Sequence, residues 1–265
     1  MRAFFLLMAV TLASAMGVRS QTVVWYVDAS ATGTETGLSW ADAFTDLQDA
    51  LAVAGAGDEV WVAEGTYKPT AGTDRAATFI LRSGVALYGG FEGTEQTHDQ
   101  RDWVRHRTIL SGEIGVPNQT TDNSCHAVTV SPLATPGGTT TAVLDGVVVT
   151  RGHAENCAEG GGGILLPGGS SPVIANCEVV DNRGSGINAM PGSALIMRDC
   201  LLTLNFSEEG GGACAWTVRA CAWSGSSSGE TRPRVRRAGA YTSATPTSSA
   251  GTARSKGTAP RPVRA

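Results

Sequence analysis

A recurrence near the middle of the chain constrains the fold most. "NCEVVDN" runs from Asn176 to Asn182 and "DCLLTLN" from Asp199 to Asn205, so a small polar residue, Cys, four residues and Asn return after 23 positions. A fixed period of 20–50 residues marks a stack of repeated units that bury a continuous core between neighbours. Helical repeats need longer runs of 3.6 periodicity, and none recurs here. Leucine-rich repeats need a regular Leu and Asn grid, also absent. About 23 residues is enough for three short strands joined by tight corners, and successive turns then stack at the strand spacing of ~4.8 Å.

The rest of the chain agrees. Short apolar runs such as "EVWVAEGTY" (59–67), "GVALYGGF" (84–91), "TAVLDGVVVT" (141–150) and "ALIMRDCLL" (194–202) alternate with Gly, Asn, Asp and Pro. These are strand and corner signals. "RTILSGEI" (107–114) follows "GVALYGGF" by 23 residues, which aligns Leu87 with Leu110 and Gly89 with Gly112. One segment changes period: Phe44, Leu47 and Leu51 share a helical face, with Thr45 and Gln48 as a capping box and Gly55 as a stop. The expected fold is an all-β solenoid, a right-handed parallel β-helix. The helix covers its open first end, where bare core and an unpaired strand edge need protection.

The expected domains are a signal peptide at 1–20, an N-terminal strand and capping helix at 22–57, the β-helix at 58–214 and a tail at 215–265. Arg2, the apolar "FFLLMAVTL" and the small residues "ASA" form the export signal, so the expected location is outside the cell or at its surface. No other run is long and apolar enough to cross a bilayer. Charge divides the chain in two. Residues 1–214 carry 11 Lys and Arg against 23 Asp and Glu, net −12; residues 215–265 carry 9 against 1, net +8. The tail is rich in Ser, Ala, Gly, Thr, Arg and Pro, a composition expected to stay disordered or to lie out of frame. The open C-terminal edge is then a surface for self-association.

"YVDASATGTETGLSWADAFTDLQDAL" (26–51), "GDEVWVAEGTY" (57–67) and "GVALYGGFEGTE" (84–95) resemble the N-terminal region of large secreted bacterial β-helix proteins of the pectin-lyase-like superfamily. "GGGI" (161–164) and "LTLN" (202–205) loosely resemble the repeats of polymorphic outer membrane proteins. The resemblance implies export and a β-helix. It leaves activity open, because the superfamily holds lyases, hydrolases and adhesins.

A lyase acting on uronate polymers needs a cation, usually Ca²⁺, acidic groups to hold it and a base. Asp145, Asn176 and Asp199 align as residues preceding Gly146, Cys177 and Cys200, and Arg151 follows the same strand as Asp145. Asp145, Asp199 and Arg151 are therefore the candidate catalytic residues. The competing reading makes the Asp and Asn column a set of turn residues that tolerate left-handed backbone. No metal site and no resident cofactor are expected; Ca²⁺ enters only with the lyase alternative. "RDWVRHR" (101–107) offers Trp103, Arg105 and Arg107 as ligand contacts, since an aromatic ring with flanking cations suits a sugar. No nucleic-acid partner is expected. The expected role is a non-catalytic, adhesin-like scaffold that contacts polysaccharide or another envelope component. The alternatives are a polysaccharide lyase or glycoside hydrolase, and an inert fragment of a longer protein.

Overall fold

The computed structural model describes residues 22–131 and 142–206, and the backbone of 216–224. The expected signal peptide at 1–20 and the tail beyond 224 lie outside the described residues.

The strands stack in three parallel ladders. The first runs β1 (Val24–Val27), β2 (Glu59–Ala63), β5 (Ala86–Phe91), β8 (Val143–Asp145), β11 (Val173–Ala175) and β14 (Ala194–Thr203). The second runs β3 (Gly65–Tyr67), β6 (Thr108–Ser111), β9 (Val147–Thr150), β12 (Glu178–Val180) and again β14, whose ten residues serve both ladders. The third runs β4 (Phe79–Leu81), β7 (Val128–Val130), β10 (Ile164–Leu166) and β13 (Ile187–Ala189). One strand from each ladder makes one turn, so four full turns stand between β1 and β14.

Because alternate strand residues face opposite sides, equal positions form columns. Val60, Leu87, Leu144, Ile174 and Met197 stack in register inside the coil. Tyr67, Leu110, Val149, Val179 and Leu202 stack on the second wall. Phe79, Val128 and Ile164 close the third, all buried. Leu87 therefore pairs with Val60 and Leu144, whereas Leu110 belongs to another wall. The 23-residue echo between 84–91 and 107–114 links successive walls of one turn, contrary to the sequence alignment. The true steps along the first inner column are 27, 57, 30 and 23 residues, read from Val60 to Met197. Only the last step keeps the period that the opening motif displays.

That last step is held by side chains as well as ladders. Asn205 Oδ1 accepts from Asn182 N (3.2 Å) and Nδ2 (2.9 Å), and Asn182 Oδ1 accepts from Gly152 N (3.0 Å). Asn205 Nδ2 donates to Val179 O at 2.8 Å, and Asn182 Nδ2 to Val149 O at 3.1 Å. Both amides are buried, so each corner satisfies backbone groups that would otherwise be stranded away from water. Cys177 and Cys200 lie inward on adjacent rungs as free thiols.

The helix α1 (Leu47–Val53) buries Leu47, Ala50 and Leu51 over the first turn, as expected. Its N-cap is Asp46, whose carboxylate accepts from Gln48 N at 2.8 Å. Thr45, the expected cap, donates instead to Glu35. Asp is a better N-cap than Thr here because its charge also suits the helix N-terminus.

Two further findings stand apart from the sequence reading. Cys125 and Cys157 form a disulfide that spacing alone did not suggest. The tail is not disordered throughout: β15 (Trp216–Ser224) pairs antiparallel with β14, Ala194 opposite Ser224 and Leu202 opposite Trp216. "WTVRACAWS" carries β-branched and aromatic residues that favour strands, a signal diluted when composition is averaged over 51 residues. The edge of β14, expected to be open, is thus covered over its length.

Candidate functional site

On the outer side of the first ladder, Tyr26, Trp61, Tyr88, Asp145, Ala175 and Arg198 stack in register. The three aromatic rungs are clad by the segments before α1 and after β5. Trp61 stacks on Phe91 at 4.8 Å, Trp40 meets Tyr26 edge-on at 4.8 Å, and His98 meets Tyr88 edge-on at 4.3 Å. The cladding leaves the outward-facing Trp61 almost fully buried. Burial, then Glu59 and Asp145, raise the Tyr88 pKa. Burial and then the Arg101 charge lower that of His98.

Arg101 ends the cladding. Its guanidinium lies 5.2 Å from the Tyr88 ring centre and 4.8 Å from that of Trp103. Nη1 donates to Gly89 O at 3.1 Å, and Nη2 donates to Asp145 Oδ1 at 2.8 Å. The close approach needs glycine on both sides. A Cβ at Gly90 (φ +94°) would come within 2.6 Å of the Trp103 backbone, and one at Gly146 (φ +74°) within 2.6 Å of Arg101 Nη1.

Beyond Arg101 the chain carries Trp103 over the edge of the second ladder. There Trp103, Val104, Arg107, Glu178, Asp199 and Leu201 line a shallow groove of about 390 Å³, floored by rungs of β9, β12 and β14. Trp103, Val104 and Leu201 expose apolar surface. Arg107 pairs with Glu178 at 2.6 Å. Of the expected ligand contacts, Trp103 and Arg107 meet in this groove. Arg105 is exposed and is not among the lining residues.

The candidate catalytic residues do not converge. Register places Asp145 opposite Ala175, and Ala175 opposite Arg198, so the column aligned from the sequence is displaced by one residue. The true partners of Asn176 (φ 51°) and Asp199 (φ 49°) at the left-handed corner are one another and Gly146. Gly, Asn and Asp are the residues that tolerate this backbone, which supports the turn reading. Asp145 itself sits in the strand. Its carboxylate is taken by Arg101 and by Asn176 Nδ2 at 2.9 Å. Arg151 stands at the other end of β9, paired with Glu113 at 3.1 Å and Asp181 at 3.3 Å. Asp199 alone of the three lines the groove. No cluster of His, Cys, Asp and Glu suited to a metal ion occurs among the described residues.

Arg101 opens the run 101–107, and sequence reasoning missed its role as an anchor. The only available signal was its position two residues before Trp103. Glu178 was missed because a lone Glu at the start of a strand reads as solvated surface.

A family model described as a right-handed β-helix region matches residues 105–227. No curated protein and no solved structure matches the chain. No described helix is long and apolar enough to cross a membrane. The parallel ladders and the family match together make this chain a right-handed parallel β-helix protein.

Proposed function

We propose that the chain is an exported, non-catalytic β-helix scaffold whose groove beside Trp103 contacts carbohydrate or another envelope component. The observation that carries this reading is the presentation of Trp103. It is 36% exposed yet held from behind by Arg101, which is itself fixed by Asp145. A ring held in place offers an apolar platform at little entropic cost. Val104 and Leu201 extend the apolar surface, while Arg107, Glu178 and Asp199 supply polar groups at its rim.

The pairing of the arginines argues against the lyase alternative. Arg101, Arg107 and Arg151 each already serve a carboxylate, so none offers an uncompensated charge to a uronate. The groove favours a neutral, hydroxyl-rich glycan. A glycan microarray probed with the full chain tests the reading. Retention on neutral glycans is the expected result; retention on no glycan would refute it, and release of unsaturated products from uronans would restore the lyase.

A further inference from the structure

The disulfide joins the same corner of successive turns. Cys125 lies between β6 and β7, Cys157 between β9 and β10, and Arg75 reaches them from the segment between β3 and β4. Arg75 is fixed by the backbone: Nε donates to Asn123 O at 2.8 Å, and Nη2 donates to His153 O at 2.6 Å and Glu155 O at 3.4 Å. Nη2 also lies 3.6 Å from Cys157 Sγ. Among the described residues no carboxylate pairs with Arg75. Its charge is directed at one sulfur of the bond.

A cation beside a sulfur stabilises the thiolate. In thiol–disulfide exchange the sulfur that forms the better thiolate leaves, and the incoming thiol stays on the other. Both cysteines are half-buried rather than buried, so neither sulfur is sealed from a small thiol. Cys177 and Cys200 differ: both are buried, and burial pushes the Cys177 thiol pKa up.

We propose that Cys125–Cys157 is a directional thiol-exchange site for small thiols, with Arg75 assigning Cys157 as the leaving sulfur and Cys125 as the site of the adduct. The incoming thiolate bonds to Cys125 Sγ, the S–S bond breaks, and its electron pair goes to Cys157 Sγ, where Arg75 balances the charge. A second thiolate attacking the mixed disulfide frees Cys125 and leaves the two thiols joined. The protein bond thereby gains two electrons and the thiols lose two. Exchange unties the segment between Ala154 and Gly161 from the neighbouring turn.

The test uses the full chain with reduced glutathione as probe, followed by alkylation and peptide mapping. The adduct on Cys125 should exceed that on Cys157 by about fivefold or more. The bias should vanish in Arg75→Gln and persist in Arg75→Lys. Equal adducts, a preference for Cys157, or no adduct on the native protein would overturn the proposal. Should Arg75→Gln fail to fold, the reduced wild type still decides: Cys157 should alkylate with a midpoint about one pH unit below that of Cys125, and coincident midpoints would overturn the proposal.

Discussion

The early and late turns share a core but differ on the outside. In the early turns the outer column is Tyr26, Trp61 and Tyr88, clad by Trp40 and His98 from long connecting segments and by Phe91 at the end of β5. In the late turns the same column holds Ala175 and Arg198, connections are short, and the step is 23 residues. The early turns exclude water with aromatic surface brought in from the loops. The late turns rely on tight corners in which Asn182 and Asn205 satisfy the backbone. Inserted segments break the repeat, and they are also the places where side chains other than core formers can be held out toward a ligand.

Deleting core from the clad half should have the largest effect. Leu87 is buried between Val60 and Leu144, so Leu87→Ala should cost about 3 kcal/mol through lost burial and a residual cavity. Urea titration checks this, and a loss below about 1 kcal/mol would mean that the inner column does not carry the stack. The matching change in the regular half is Asn182→Ala. It takes the side-chain acceptor from Gly152 N and the side-chain donor from Val149 O, at an expected cost of about 2 kcal/mol. If the corner instead admits water, the same titration will show almost no change, and the asparagine ladder would lose its structural meaning.

The smallest effect expected is a pH dependence confined to the cladding. Burial and Arg101 hold the His98 pKa below its ordinary value of 6.5, against the opposing pull of Glu59, Asp145 and Asp99. A depressed histidine takes up protons more readily when unfolded, so stability is full above the unfolded pKa and falls as pH drops below it. His98→Phe should therefore flatten the stability profile between pH 7 and 5. Thermal melts across that range check the slope, and an unchanged slope would place the titration elsewhere.

These contrasts also explain what was legible in the sequence. The late turns were readable because Cys177 and Cys200, and Asn182 and Asn205, return at one spacing with nothing inserted. The helix was readable from its apolar face, although its cap fell on Asp46 rather than Thr45. The early turns were harder: the 57-residue step from Leu87 to Leu144 hid their equivalence, and a coincidental 23-residue echo paired Leu87 with the wrong wall. The one-residue displacement at Asp145 has a chemical cause. Asp and Gly both suit a left-handed corner, so "DG" allows two alignments, and only the ladder shows that Gly146 takes the corner. Of the site, Trp103 and Arg107 were legible as an aromatic flanked by cations. That Arg101 faces inward to Asp145, and that Arg107 meets Glu178 from 71 positions away, depends on stacking that no local pattern records. The disulfide was hidden for the same reason, since its cysteines lie 32 positions apart on neighbouring turns of unequal length.

Under the proposed function the repeat supplies the frame and the segment after β5 supplies the contact. The most direct test measures Trp103→Ala for glycan affinity and thermal stability side by side, using the best neutral glycan for the wild type. The account predicts a loss of affinity of about tenfold or more, ~1.4 kcal/mol, with the melting temperature almost unmoved. Wild-type affinity in Trp103→Ala would contradict it.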